Sequence, residues 1–308
     1  MVESLNISVI GAGLMGHGIA LTFVRVGHRV SIYDPDGPTL ADTPNRVANS
    51  MRLLGAHDAE VDSALANLKL HDDVKNTVTS ADFVIEAAPE KLDLKRSIFS
   101  EVESHAPADA ILASNTSVIP ITKITSHLKR RERALGTHWW NPPHMIPLVE
   151  VVKTERTNSD VAEKMFALLE ASGKDPVMVE KDVPGFIGNR LQHALWREAI
   201  SLVANGICSA EGVDNVVKAS FGRRLAVLGP LENADLVGIE LTQDIHRQVL
   251  FDLEASPEPS PYLQELQDKG RTGMAAGRGF REWAKEDLES TKARVSEHLA
   301  KLERILPR

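Results

Sequence analysis

A turn with three glycines, residues 11–16, constrains the fold of this chain more than any other feature of the sequence. It follows the short apolar run Asn6–Ile10, and a stretch with helical character comes directly after it. In such a strand–turn–helix unit the first glycine permits the tight turn, the second lets the backbone approach a pyrophosphate, and the third lets helix and strand pack closely. The helix N-terminus then stabilises the phosphate charge with its free N–H groups and its dipole. The residues expected to contact a dinucleotide are Gly11, Gly13, Leu14, Met15 and Gly16.

An acidic residue at the end of the second predicted strand, residues 29–34, indicates which dinucleotide binds. Asp34 lies eighteen residues after Gly16. A carboxylate at this point can accept hydrogen bonds from both ribose hydroxyls and repels a 2′-phosphate. NAD is therefore the predicted cofactor, rather than NADP. The alternative is a glycine turn followed by an incidental aspartate.

Short apolar segments alternate with helical segments through the first half of the chain. Further strands are predicted at residues 82–88, 110–114, 134–140, 148–153 and 176–180. A polar, helical stretch runs from Thr39 to about Leu68. Apolar strands that alternate with helices are typical of a parallel sheet covered on both faces. We therefore expect an α/β fold, a Rossmann-type doubly wound parallel sheet, over residues 1–185.

The alternation ends at residues 182–186, where proline and glycine interrupt regular pairing. Every later segment has a helical pattern; these segments are 188–205, 210–221, 231–253, 262–269 and 285–306. Residues 186–308 are therefore predicted to form an all-helical C-terminal domain. Its apolar positions exceed what one short bundle buries easily, which indicates a homodimer through this domain. These positions are Leu195, Ile200, Val203, Val213, Val217, Ile239 and Leu241.

Composition and charge argue against several classes of partner. The net charge of −8 at pH 7, without a long basic stripe, disfavours nucleic acid and anionic membranes. Cys208 is the one cysteine and has no second ligand at metal spacing, so neither a disulfide nor a metal site is expected. Residues 1–4 carry no cationic region, and the apolar residues 7–10 are too few for a signal sequence or a membrane span. A cytoplasmic protein with a small-molecule substrate is therefore predicted.

Two carboxylates, Glu86 and Glu90, flank the end of a predicted strand. Such a strand end lies at the carboxyl edge of the sheet, where ligands bind in open α/β folds. Glu90 and Lys95 are therefore candidates to contact the nicotinamide ribose. The alternative is a surface pair at the start of a helix.

His138 ends a predicted strand just before a proline-interrupted turn, and Glu150 lies in the strand that returns. Adjacent strands would bring the two side chains close enough for Glu150 to accept one ring N–H. The carboxylate would then fix the tautomer and stabilise the imidazolium that forms when the ring takes a proton. Alcohol oxidation needs such a base, because the hydroxyl proton must leave as hydride passes to the nicotinamide. The alternative is a structural histidine beside Trp139 and Trp140.

The chain resembles the L-3-hydroxyacyl-CoA dehydrogenase family over essentially its whole length. The segments that carry the resemblance occur in the same order; they are residues 11–16, 86–90, 114–117, 138–142, 148–150, 182–190, 229–230 and 277–280. The resemblance implies an NAD-dependent oxidoreductase in which His138 is the catalytic base and Glu150 orients it.

Four further residues receive roles from the same resemblance. Ser117 would hydrogen-bond the reacting oxygen, and Asn189 would hold the oxygen of the substrate. Asn115 and Asn141 would support the nicotinamide and the active-site turn. Ser117 could instead cap the helix after Pro120, and Asn189 could cap its own helix.

One region departs from the fatty-acid enzymes of this family, which carry a lysine-rich helical hairpin that contacts the CoA phosphates. The corresponding residues 48–73 contain Arg52 and Lys69 among five acidic residues. They offer no cationic cradle for a triphosphorylated carrier. The sequence therefore favours a small free carboxylic acid, a 3-hydroxy acid or a hydrated aldehyde acid, as substrate. A true L-3-hydroxyacyl-CoA dehydrogenase is the alternative, and an NAD-binding structural protein of the crystallin type is a third.

Residues 138–147 are similar to branches of the family that act on small acids. These branches are L-gulonate 3-dehydrogenase, carnitine dehydrogenase and 5-formyl-3-hydroxy-2-methylpyridine-4-carboxylate 5-dehydrogenase. The last also resembles this chain at residues 119–123, 182–198 and 225–230. Arg223 or Arg224 could bind a substrate carboxylate bidentately, or both could be solvated. Trp139 and Trp140 could line a flat aromatic pocket or pack in the core.

Overall fold

The computed structural model describes residues 4–305, except for the side chains of residues 303 and 304. The predicted features at residues 1–3, and the predicted end of the last helix at Leu306, lie outside this part of the chain. The chain divides into two compact units, Met1–Arg190 and Leu191–Pro307. The boundary expected after residue 185 stays a prediction.

An eight-stranded sheet, formed within the described residues, is the framework of the first unit. Its strands are β1 (Asn6–Ile10), β2 (Arg29–Tyr33), β3 (Leu68–His71), β4 (Phe83–Glu86), β5 (Ile111–Ser114), β6 (Ala134–Trp139), β7 (Leu148–Val152) and β8 (Asp175–Val179). They lie in the order β3-β2-β1-β4-β5-β6-β7-β8. Neighbouring strands are parallel except for β6 and β7, which are antiparallel. The strand order reverses between β1 and β4, and ligands of open α/β sheets bind beside such a switch point.

Helices cover both faces of this sheet. They are α1 (Gly16–Val24), α2 (Gly37–Ala41), α3 (Thr43–Leu53), α4 (Asp58–Ala66), α5 (Val74–Val78), α6 (Leu92–His105), α7 (Ile121–Thr125) and α8 (Ser159–Ala171). Val9 and Ile10 are neighbours in β1 and therefore point to opposite faces. Both are buried, Val9 in one apolar cluster and Ile10 in another. This arrangement confirms the predicted Rossmann-type α/β architecture, with one antiparallel strand pair in a mostly parallel sheet.

Helices form the second unit, as the sequence predicts. They are α10 (Ala210–Ala219), α11 (Pro230–Val237), α12 (Ile239–Val249), α13 (Pro261–Asp268) and α14 (Asp287–Ile305), preceded by α9 (Gly188–Ala204), which begins in the first unit. Of the apolar positions singled out in the sequence, Leu195, Ile239 and Leu241 are exposed. No helix in residues 4–305 is long and apolar enough to cross a membrane.

The structure corrects two predicted elements. The helical stretch expected to reach Leu68 ends earlier, because Leu68–His71 is an edge strand paired with β2. Its stability comes from that backbone pairing, and its alternation is too weak to mark it as a strand, since Lys69 and Leu70 are both exposed. The single helix expected over residues 231–253 is two helices, because Gly238 adopts φ +97° between them.

Candidate active site

A histidine and a glutamate face each other across the antiparallel pair β6–β7. His138 and Glu150 are register partners, so their side chains leave the same face of the sheet. Nδ1 of His138 lies 2.6 Å from Oε2 of Glu150, and both side chains are buried. A charge-assisted hydrogen bond of this length orients the imidazole and leaves its Nε2 for chemistry.

The start of α9 binds the second oxygen of Glu150. Oε1 accepts hydrogen bonds from the backbone N–H groups of Ile187 at 2.8 Å and Gly188 at 3.0 Å. Two preceding residues in left-handed conformations, Gly185 at φ +74° and Phe186 at φ +50°, turn the chain toward the carboxylate. Phe186 is the only non-glycine residue with positive φ among those described. Its strained backbone is a local cost that persists because the surrounding packing holds it.

Burial and hydrogen bonding act in opposite directions on the pKa of Glu150. Burial disfavours the charged carboxylate and raises the pKa, but the hydrogen bonds from His138, Gly188 and Ile187 lower it by more. The pKa of Glu150 therefore lies below its ordinary value of 4.5. The carboxylate is ionised at neutral pH and can stabilise a protonated His138.

Two aromatic rings flank His138. The ring centroid of Trp140 lies 5.3 Å from that of His138, and the centroid of Phe186 lies 5.5 Å away. Phe186 is buried, whereas Trp140 is half-buried. These apolar rings lower the local dielectric and strengthen the hydrogen bond between His138 and Glu150.

Ser117 and Asn189, which the sequence predicts to contact the substrate, are bonded to each other. Nδ2 of Asn189 donates to the backbone oxygen of Ser117 at 3.0 Å. The capping alternative for Ser117 is wrong, because Asp182 accepts the N–H groups of Ile121 and Thr122 at the start of α7. The contacts of Ser117 and Asn189 with substrate stay predictions.

Glu90 holds the turn that carries Ser117. Its Oε1 accepts the backbone N–H groups of Ser117 at 3.0 Å and Val118 at 3.1 Å, together with the hydroxyl of Thr116. Burial raises the pKa of Glu90, but the hydrogen bonds from Thr116, Val118 and Ser117 and the positive charge of Lys95 lower it overall. Glu90 is therefore an ionised anchor for this turn.

Lys95 lies beneath the same edge of the sheet with no exposed side-chain surface. Its Nζ is 2.8 Å from Oε1 of Glu86 and 3.5 Å from Oε2 of Glu90, and it donates to the backbone oxygen of Ala88 at 3.1 Å. Glu86 also accepts the hydroxyl of Ser114 at 2.6 Å. Lys95 is thus the counter-ion of two carboxylates, and its contact with the nicotinamide ribose stays a prediction.

The glycine turn between β1 and α1 has the shape that a dinucleotide needs. Gly11 adopts φ +106°, and a Cβ on Gly16 would lie 1.7 Å from the oxygen of Gly11. A Cβ on Gly13 would meet nothing within 4 Å, so the backbone there is open to a phosphate. Oδ2 of Asp34 accepts the N–H of Ala12 at 2.7 Å, which places the carboxylate beside the turn. These residues fit the predicted NAD.

The other predicted cofactor residues lie in this turn and at the ends of β5 and β6. Leu14 and Met15 belong to the glycine turn, and Leu14 is largely exposed. Oδ1 of Asn115 accepts the N–H of Trp139 at 3.0 Å and so ties the end of β5 to β6. Asn141 is exposed in the turn after β6. Their contacts with cofactor stay predictions.

Three further residues are predicted to contact substrate. Trp139 lies in the core, and Arg223 and Arg224 lie on the surface. Trp139 is 2% exposed and packs edge-on against Phe23, with ring centroids 5.9 Å apart. Its side chain points away from the face that carries His138, which favours the alternative of packing in the core. Arg223 and Arg224 are exposed in the second unit, and their contact with substrate stays a prediction.

Sequence reasoning missed several groups that hold this site together. The N–H groups of Ile187 and Gly188 leave no signal in a sequence, because every residue other than proline carries one. The roles of Thr116 and Asp182 depend on residues far away in the chain. Their presence in segments 114–117 and 182–190, which carry the family resemblance, was the only available indication.

Comparison with known proteins places the chain in a family. The NAD binding domain of 3-hydroxyacyl-CoA dehydrogenase matches residues 6–183, and the C-terminal domain of the same family matches residues 185–283. The two matches cover His138 and Glu150, the glycine turn and most of the helical unit.

Several relatives match most of the chain. The 5-formyl-3-hydroxy-2-methylpyridine 4-carboxylate 5-dehydrogenase of Mesorhizobium japonicum is 33% identical over 98% of both chains. A crystal structure of an enzyme of that name, described as an NAD⁺-dependent dismutase, superposes with a TM-score of 0.90 at 32% identity over 98% of both chains. Human mitochondrial hydroxyacyl-coenzyme A dehydrogenase is 35% identical over 89% of this chain and 90% of its own. The L-carnitine dehydrogenase of Streptomyces coelicolor is 36% identical over 76% of this chain and 74% of its own. The chain therefore belongs to the 3-hydroxyacyl-CoA dehydrogenase family and is an NAD-dependent dehydrogenase that acts on a CH–OH group.

Proposed function

We propose that this enzyme oxidises the hydroxyl group of a small free carboxylic acid, either a 3-hydroxy acid or a hydrated aldehyde acid. The observation that carries the proposal is the pairing of Arg52 in α3. Its Nε and Nη2 both donate to Oδ1 of Asp58, at 3.2 and 3.0 Å. The arginine at the position of the CoA-binding hairpin is therefore bound by a carboxylate of the same chain, and a CoA phosphate would have to compete with it.

The preceding cation of α3, Arg46, also has partners within the chain. Arg46 donates to the backbone oxygen of Ala12, and its Nε lies 3.7 Å from the carboxylate of Asp42. Lys69, on the edge strand β3, is the other cation of residues 48–73 and stands close in sequence to Asp72 and Asp73. This charge pattern supports a substrate without a triphosphorylated carrier.

Some relatives support a free acid as substrate, and others support a CoA thioester. The pyridine-carboxylate enzyme and the carnitine enzyme are both named for substrates without CoA. A true L-3-hydroxyacyl-CoA dehydrogenase is the second candidate, and the 35% identity to the human enzyme favours it. The charge pattern of α3 and α4 supports the free acid over the thioester.

His138 is the base of the proposed reaction. Nε2 takes the hydroxyl proton of the substrate, while Glu150 holds Nδ1 and stabilises the positive charge that the ring acquires. When bound, NAD⁺ supplies the hydride acceptor. The hydroxyl of Ser117 and the amide of Asn189 hold the substrate oxygen, and Asp34 receives the ribose hydroxyls of the cofactor. The same groups serve an alcohol and a hydrated aldehyde, because each presents a C–H and an O–H on one carbon.

The second unit is proposed to form a homodimer. Leu231, Leu236 and Ile239 are each more than half exposed along α11 and α12. Burial of such side chains is worth about 25 cal/mol per Å² of apolar surface, and a second copy of the chain offers the complementary surface.

Two panels of substrates test the proposed function. One contains L-3-hydroxyacyl-CoA thioesters of several chain lengths, and the other contains free hydroxy acids, carnitine, gulonate and pyridine-carboxylate aldehydes. NAD⁺ reduction is followed by absorbance with each compound. We expect turnover with the free acids, and Arg223→Ala and Arg224→Ala then test which arginine binds the carboxylate. Turnover confined to the thioesters would overturn the proposal.

A further inference from the structure

The indole of Trp140 rests on a residue that leaves room for it. A Cβ placed on Gly188 would lie 2.5 Å from Cζ2 of Trp140, which is closer than real Cβ contacts come. The backbone of Gly188 is not in the left-handed region, and glycine is a weak helix former. The backbone conformation therefore does not require glycine at this position. The ring of Trp140 occupies the space that a side chain at this position would need.

The same ring lies beside the hydrogen-bonded pair of His138 and Glu150. Its centroid is 5.3 Å from that of His138, and the N–H of Gly188 beneath it donates to Glu150 at 3.0 Å. Trp140 is half-buried, so part of its surface remains accessible. Trp140 thus packs beside the acid–base pair and also keeps some exposed surface.

Packing contacts, and no hydrogen bond from its Nε1 within the described residues, hold this indole in place. Its Nε1 is buried and has no hydrogen-bond partner in the part of the chain that the structure describes. Replacing Trp140 by phenylalanine would therefore remove aromatic surface without breaking a hydrogen bond. Gly188→Ala would displace the ring of Trp140 and would keep the backbone N–H that binds Glu150.

We infer that Trp140 is a specificity-determining residue, and that its indole selects a flat, ring-bearing carboxylic acid over an open-chain one. Aromatic rings stack favourably in offset or tilted arrangements, and a planar substrate can approach Nε2 of His138 along such a surface. An open-chain acid of similar size gains less from the same contact. This inference rests on the proposed function, because it assumes a small free acid as substrate.

The test compares two substrates in four proteins. The substrates are a pyridine-carboxylate aldehyde and an open-chain 3-hydroxy acid, and the proteins are the wild type, Trp140→Phe, Gly188→Ala and the double variant. We expect Trp140→Phe to lower the ratio of kcat/KM between ring and open-chain acid by about 3- to 10-fold, mainly through KM of the ring acid. Gly188→Ala should lower the ratio in the same direction. The double variant should be no worse than either single variant, since phenylalanine leaves space for the alanine Cβ.

Trp139→Phe is the matched control. It makes the same change in the neighbouring residue, whose side chain lies in the core, and should lower stability while leaving the substrate ratio unchanged. An equal loss for both substrates in Trp140→Phe would mean that the ring only supports the fold, and it would overturn the inference. A wild-type enzyme that oxidises only open-chain acids would also overturn it while the proposed function stands. Turnover confined to CoA thioesters would overturn the proposed function and the inference together.

Discussion

Lys95 and Glu86 form an ion pair that is closed to solvent, with Nζ 2.8 Å from Oε1 and the two side chains 0% and 1% exposed. Glu86 ends β4, and Lys95 lies in the first turn of α6. The same carboxylate accepts the hydroxyl of Ser114 at the end of β5 and the N–H of Ala88. One buried pair therefore fixes the carboxyl edge of the sheet at which the active site is built.

Breaking this ion pair should lower the stability of the fold more than it weakens cofactor binding. Removal of one partner leaves a buried charge without compensation, so Lys95→Met should lower the free energy of unfolding by about 3–5 kcal/mol. Urea unfolding at pH 7 measures the change. Lys91, which is exposed and directly precedes α6, provides the control, and Lys91→Met should change stability by no more than about 0.5 kcal/mol. Unchanged stability of Lys95→Met, with weaker NAD binding, would instead assign Lys95 to direct contact with the cofactor.

The parts of the site that were predictable depend on local pattern. The glycine turn follows β1 immediately, and its three glycines sit where a strand, a turn and a helix meet. His138 and Glu150 are twelve residues apart. They lie on strands joined by residues 140–147, so the reversal of the chain between these strands brings the two side chains together. Their pairing could be predicted without any knowledge of the rest of the fold.

The parts that were not predictable depend on contacts between distant segments. The burial of Lys95 follows from the packing of α6 against the sheet, and lysine is seldom buried without a partner. Trp139 ends β6 and packs in the core, whereas Trp140 follows the strand and is half-buried beside His138. Which of the two faces the core depends on the helix that covers this part of the sheet, since Trp139 packs against Phe23 of α1. The edge strand β3 lacks a period-two pattern and exists because β2 offers it a pairing partner.

Substitution of His138 should separate chemistry from cofactor binding. His138→Asn removes the base, so kcat should fall by about 10²- to 10⁴-fold. NAD affinity, measured by calorimetry, should stay within about twofold, because the glycine turn and Asp34 are untouched. His105→Asn changes an exposed histidine on α6 and serves as the control. An active His138→Asn enzyme would remove His138 from the role of base.

The depressed pKa of Glu150 predicts how stability changes in acid. A carboxyl group whose pKa is lower in the folded than in the unfolded protein stabilises the fold above its unfolded pKa. That contribution is lost as the pH falls from about the ordinary value of 4.5 through the lower folded pKa. Glu150→Gln removes this titration. Between about pH 6 and roughly pH 3, the wild type should therefore lose more free energy of unfolding than the variant. Urea unfolding across this range measures the difference, and parallel curves for the two proteins would contradict the depressed pKa.

Asp34 should determine which form of the cofactor the enzyme accepts. Asp34→Asn keeps an oxygen that can accept the N–H of Ala12 but removes the charge, so the turn should hold while the ribose contact weakens. Hydrogen bonds to a charged group contribute about 1.5–3 kcal/mol, so NAD affinity should fall by roughly 10- to 100-fold. Binding of NADP should improve relative to NAD, because the negative charge that repels the 2′-phosphate is gone. Asp62→Ala, on the exposed side of α4, is the control for a change in net charge. An unchanged ratio of NAD to NADP affinity in Asp34→Asn would show that the ribose is held by another residue.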